Sequence, residues 1–170
     1  MKILVIGDIV VSCDLLVEAA KSLPGGEHEV VAVEWKSETR QEFQKKALNI
    51  EKNGPTAEEP PKEAYEQIGD ADILLSHFCP IPEDLIEAGK NLKIIARHGA
   101  GYDNLDWKAA NELGIYTTYS PDTTTLSVAE FTITVILNLA KRLKESEELV
   151  RNGDFQKKFS LKGTDVAGKT

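Results

Sequence analysis

Apolar positions along the chain follow two alternating patterns. Short continuous apolar runs, such as Lys2–Ile6 (KILVI) and Leu92–Ala96 (LKIIA), are separated by stretches in which apolar residues recur every three or four positions. The first pattern belongs to buried strands and the second to amphipathic helices, so their alternation predicts a parallel sheet with helices on its faces. Five strands are expected, at Lys2–Ile6, Val30–Val33, Ile73–Leu75, Leu92–Ala96 and Ile115–Tyr119. The first is followed by a helix capped by Asp14 and carried by Leu15, Leu16, Ala19, Ala20 and Leu23, which Pro24-Gly25-Gly26 ends. Ser37–Asn53 reads as a polar, largely exposed helix with Phe43, Ala47 and Leu48 as its apolar stripe, and Gly54–Pro61 as a loop. Shorter helices are expected at Tyr65–Ile68, Glu83–Ala88 and Trp107–Leu113, the last with Asp106 as its cap.

A longer helix follows. Ser127-Val128-Ala129-Glu130 has the form of a capping box, in which a hydroxyl and a carboxylate three residues on satisfy free backbone donors. The apolar positions behind it, from Val128 and Phe131 through Leu139 to Leu143, cover more than one face, which predicts burial on two sides. After Arg151 the chain turns polar and glycine-punctuated, without a helix or strand period, and reads as a connection to something further on.

Composition narrows the chemistry. The 170 residues, 41% of them apolar, suit a domain-sized core. A net charge of −8 disfavours nucleic acid and anionic membranes as partners and leaves small molecules or proteins. The amino terminus lacks a signal-peptide pattern, and no run is long enough to span a membrane. Cys13 and Cys79 are isolated thiols without neighbouring ligands, which points to a reducing, cytoplasmic setting and to no disulfide or metal site.

The chemistry-bearing stretch is RHGAGYDNLD, residues 97–106, just past the fourth strand. Its Gly-Ala-Gly resembles a dinucleotide loop, but the third glycine position is Asn104 and the helix is delayed to Trp107, so a pyrophosphate site is not expected there. Gly99, Ala100 and Gly101 could instead turn successive amides inward as a nest for a small carboxylate, with Arg97 supplying positive charge. The competing reading is a tight turn with Arg97 as a solvated surface residue; both stay open on the residues alone. His77 could line the same crevice, as could His98, and Thr123-Thr124-Thr125 could offer hydroxyls. No Ser/His/Asp or metal-ligand constellation stands out.

Taken together, Leu92 to Leu143 (LKIIARHGAGYDNLDWKAANELGIYTTYSPDTTTLSVAEFTITVILNLAKRL) resembles the D-isomer-specific 2-hydroxyacid dehydrogenases, in particular the phosphoglycerate-dehydrogenase-like branch. The resemblance implies a small doubly wound, flavodoxin-like five-stranded sheet as the substrate domain (1–125). It also implies an inter-domain crossing helix (126–152) and a lead-in (153–170) to an NAD-binding domain. It places the glycine fingerprint and the family's catalytic Arg, Glu and His beyond Thr170, so that no catalytic residue is expected in this chain and no tight NAD binding to it.

Carried over by position, Ala100 and Gly101 match amides that hold the substrate carboxylate, and Arg97 matches an arginine of the same loop. Val128, Ala129 and Glu130 match residues facing the nicotinamide end of the cleft. Where some phosphoglycerate enzymes have another arginine, this chain has Ser76-His77-Phe78-Cys79, which argues against a phosphorylated substrate. The implied activity is hydride transfer between NAD or NADP and a small 2-hydroxy or 2-keto acid, with this chain as the substrate-binding portion, inactive by itself and self-associating through its crossing helix. The alternative is a stand-alone flavodoxin-like module that binds a small acid or regulates without catalysis.

Overall fold

The computed structural model describes residues 1–154 and 161–169. Residues 155–160 and 170, part of the expected lead-in, lie outside them. Two compact units are formed, Met1–Pro121 and Asp122–Thr170.

The first unit is a five-stranded, all-parallel sheet: β1 (Lys2–Gly7), β2 (Glu29–Glu34), β3 (Ile73–Ser76), β4 (Ile94–Arg97) and β5 (Tyr116–Thr118), in spatial order β2-β1-β3-β4-β5. Parallel neighbours need crossover connections, and helices supply them: α1 (Cys13–Lys21), α2 (Arg40–Asn53), α3 (Lys62–Ile68), α4 (Glu83–Ala88) and α5 (Trp107–Glu112). Alternation along the strands sends side chains to two cores. Leu4, Ile6, Leu74 and Ile95 join Phe43, Ile50, Ile68, Leu85 and Ala110 in the larger core, on the side of α2 to α5. Ile3 and Val5 meet Val11, Leu16 and Ala20 of the α1 side in the smaller one. This is the doubly wound α/β architecture expected from the strand and helix pattern.

Several local expectations are corrected. Helix α1 is capped by Ser12, whose hydroxyl accepts from the Leu15 amide, and Asp14 lies in its first turn. Helix α2 starts after Thr39 and buries Phe43, Ala47 and Ile50, leaving Leu48 half exposed. The helical step explains this: Ile50 is three residues beyond Ala47 and stays on the Phe43 face, whereas Leu48 is turned about 100° away.

In the second unit, α6 (Thr125–Lys141) begins two residues before Ser127, which therefore sits inside the first turn and not at the cap. The helix ends at Arg142, which adopts a left-handed conformation (φ 52°), and α7 (Leu143–Arg151) starts immediately after. The expected two-sided burial is not found: α6 buries none of its residues, and Leu126, Phe131 and Leu139 are more than 70% exposed. An apolar pattern records what a helix can bury, and here these side chains are exposed.

The turn from β1 into α1 is set by a close approach. A Cβ on Gly7 would lie 2.5 Å from the Cys13 backbone nitrogen and 2.9 Å from its Cα. Gly7→Ala is therefore expected to destabilise the fold by about 1–3 kcal/mol, read as a lower urea midpoint with an unchanged m-value.

Candidate functional site

In a parallel sheet every strand delivers its carboxyl end to the same edge, where open α/β sheets bind ligands. Asp8 follows β1, His77 follows β3, and Arg97 ends β4, ahead of His98 and the glycine loop.

Asp8 is the buried anchor of this edge. One carboxylate oxygen, Oδ1, accepts from the amides of Val10 (2.8 Å) and Val11 (2.9 Å), winding the chain around it. The other, Oδ2, accepts from His77 Nδ1 (2.7 Å) and the Phe78 amide (3.3 Å). The carboxylate side chain is fully buried and the His77 ring 15% exposed. Burial alone would raise the Asp8 pKa, but the hydrogen bonds from His77 and the Val11 and Val10 amides outweigh it and hold the group below its ordinary value. The His77 ring stacks on Phe43 (centroids 6.5 Å apart, planes 10°) and meets the edge of Phe78 at 5.7 Å. His98 lies 5.8 Å from it, exposed; partial burial, then the neighbouring His77 and Arg97, push the His98 pKa down.

Arg97 is neither a solvated surface charge nor an open fork. It is 6% exposed, its guanidinium 5.2 Å from the Phe78 ring centroid, with Nε donating to Asn104 Oδ1 (3.3 Å) and Nη1 to the His98 carbonyl (3.1 Å). The glycine loop passes directly over it. Gly99 has φ 137°, and a Cβ there would fall 1.6 Å from Arg97 Nη1, so only glycine fits. Burial lowers the Arg97 pKa, and the negative charges of Asp103 and Asp8 work in the opposite direction.

Asn104, which stands at the missing glycine of the dinucleotide pattern, is 1% exposed and ties two loops together. Its Nδ2 donates to the carbonyls of His77 (3.3 Å) and Cys79 (2.8 Å). The loop itself is left with open donors: among the described residues the amides of Gly99, Ala100 and Gly101 meet no acceptor, while the Gly99 carbonyl accepts from the Ser120 amide (3.0 Å). Asp103 lies close by, its Oδ2 3.2 Å from where a Gly101 Cβ would stand. Tyr102 borders a separate cavity of about 240 Å³, which Leu105, Trp107, Thr117, Thr118 and Tyr119 complete.

A dinucleotide does not fit this loop. The N-terminal end of α5 is already capped by the Asp106 carboxylate, which accepts from the Ala109 amide (3.1 Å), so a second anion would meet like charge. Among the described residues no group of His, Cys, Asp and Glu could hold a metal ion, and no helix is long and apolar enough to cross a membrane. Val128, Ala129 and Glu130 are exposed on the first turns of α6, in the second unit.

Arg97, His77 and the glycine loop, singled out in the sequence, come together at this edge, and Asp8 and Asn104, not singled out there as site residues, join them. Asp8 carried one signal, a carboxylate directly at the end of an apolar strand. Nothing local tied it to a residue 69 positions away.

Comparison with known proteins agrees with this architecture. Residues 30–166 match the family model described as D-isomer specific 2-hydroxyacid dehydrogenase, catalytic domain. The D-3-phosphoglycerate dehydrogenase of Methanocaldococcus jannaschii is 36% identical over 110 residues, covering 64% of this chain and 21% of that protein. The hydroxypyruvate reductase of Thermotoga maritima is 38% identical over 125 residues, covering 72% and 40%. Among solved structures, the NAD+-bound 3-phosphoglycerate dehydrogenase of Entamoeba histolytica superposes with a TM-score of 0.53 at 25% identity, over 97% of this chain and 43% of that one. The chain belongs to the D-isomer-specific 2-hydroxyacid dehydrogenase family. It spans 21% to 43% of the length of these three proteins.

Because the folded-state pKa of Asp8 is depressed, its contribution to stability is present above the ordinary carboxylate range and lost as pH falls through the folded value. Urea midpoints of wild type and Asp8→Asn should therefore be well separated above about pH 4 and converge below it.

Proposed function

We propose that this chain is the substrate-binding portion of an oxidoreductase that transfers a hydride between a nicotinamide nucleotide and a small 2-hydroxy or 2-keto acid. The observation that carries the proposal is the set of unengaged amides at Gly99, Ala100 and Gly101, lying over a buried guanidinium at the carboxyl edge of the sheet. Ala100 and Gly101 hold the acid's carboxylate, Arg97 supplies positive charge from beneath, and His77 contacts the rest of the molecule. Fixing the carboxylate orients the carbon that exchanges hydride, and orientation of this kind can contribute several kcal/mol of barrier lowering.

The nucleotide, NAD or NADP, supplies the hydride; the NAD+-bound relative supports that assignment. Val128, Ala129 and Glu130, exposed on the first turns of α6, are the residues assigned to the nicotinamide. Proton transfer is assigned to none of the described residues. Two unpaired thiols, one of them fully buried, support a reducing cytoplasmic setting. The net charge of −8 supports a small-molecule partner over nucleic acid.

Titration of the chain with D-lactate, followed by amide chemical shifts, is expected to move the resonances of residues 99–101. Gly101→Val places branched bulk over these amides and should weaken binding by about tenfold or more; unchanged affinity would refute the nest.

The uncovered apolar residues of α6 support self-association through that helix. Light scattering should give a mass above that of one chain, falling toward it in Phe131→Asp; a wild-type chain that stays monomeric at high concentration contradicts the assignment.

A further inference from the structure

The pair formed by Asp8 and His77 lies at a particular point of the fold. Strands β1 and β3 are hydrogen-bonded neighbours, yet the chain reaches β3 from β2, on the far side of β1. The winding reverses between them, and at such a reversal the crossovers leave on opposite faces and a crevice opens beyond the strand ends. The two residues directly after these strands are thus placed where a ligand of the sheet would sit, beside the glycine loop that follows β4.

The hydrogen bonds settle how His77 presents itself. Asp8 is surrounded by donors: amides from Val10, Val11 and Phe78, and the imidazole. A carboxylate so filled accepts from Nδ1, so the shared hydrogen belongs to the ring. The stack on Phe43 and the edge of Phe78 hold the ring plane. Nε2 is left as the nitrogen without a hydrogen bond among the described residues, on a ring that keeps 15% of its surface open beside His98.

We propose that His77 is the specificity-determining residue of the acid site, its Nε2 pairing with a hydroxyl on the carbon next to the keto or hydroxyl-bearing one, and that Asp8 is its positioning residue. The favoured ligands are then three-carbon acids of the glycerate and hydroxypyruvate type. A hydroxyl both donates and accepts, so it pairs with Nε2 whether or not that nitrogen carries a hydrogen. A methyl group or a bare hydrogen at the same place pairs with neither form. The inference rests on the carboxylate site proposed above and adds what reads the other end of the molecule.

The test uses the chain as it stands. Nitrogen-15 spectra of the histidine rings should show His77 with its hydrogen on Nδ1; a ring with its hydrogen on Nε2 alone overturns the proposal. Calorimetric titrations with D-glycerate, D-lactate and glycolate compare one carboxylate with three different substituents. D-Glycerate should bind about tenfold more tightly than D-lactate, the worth of one hydrogen bond, with the ratio falling to about one in His77→Phe. Asp8→Asn should lower the same ratio and shift the His77 ring nitrogens, a change that general loosening of the fold would not confine to this ring. Equal affinities in the wild type, or a ratio that survives His77→Phe, overturn the specificity while leaving the carboxylate site in place; if none of the three acids binds, that site fails and this inference with it. Should Asp8→Asn not fold, the wild-type ring spectrum and His77→Phe still decide.

Discussion

A carboxylate removed from water stays ionised only when hydrogen-bond donors replace the solvent it lost. Asp8 meets that demand with three backbone amides and one imidazole nitrogen, and much of the carboxyl edge is arranged around doing so. The loop leaving β1 winds back on the Oδ1 oxygen, the segment leaving β3 is drawn toward Oδ2, and the His77 ring is turned to face it. Asn104 performs the complementary service for neutral groups, closing the carbonyls of His77 and Cys79 and receiving Arg97 Nε. Two buried polar side chains thereby hold three strand ends in register.

The same edge also contains groups left open, and the contrast is informative. The amides of Gly99, Ala100 and Gly101, on a loop that runs from half-buried to exposed, have no acceptor among the described residues, and His77 Nε2 has no hydrogen bond there either. The neighbouring Asp8, Arg97 and Asn104 side chains are hydrogen-bonded, which holds these donors and this nitrogen in place while their bonding capacity is unspent. Gly99 combines a positive φ with a close approach to the Arg97 guanidinium, which ties the loop to that buried side chain.

Much of this was legible in the residues. Continuous apolar runs and three-to-four spacing identified five strands and the helices between them, because each element must bury a face and its period follows from backbone geometry. The glycine loop and Arg97 were visible as a cluster of special residues after a strand. Asp8 was not, since its partner is set by the spatial order β2-β1-β3, which no local period encodes. Asn104 read as a defect in a nucleotide pattern because the pattern supplied no reason for an amide there; the reason is two carbonyls on another loop. Leu48 and Ile50 exchanged roles through one step of helical rotation, and α6 carries an apolar pattern on residues that are exposed.

The saturation of Asp8 links two distant positions. Exchanging the imidazole at 77 for a side chain that cannot donate leaves the buried Asp8 carboxylate on its three backbone amides alone, with one hydrogen bond fewer. A neutral residue at position 8 would lower the cost of such an exchange, because an uncharged side chain needs fewer donors when buried. Positions 8 and 77 are therefore coupled in energy across 69 residues of sequence, and the residue at one sets what a substitution at the other costs.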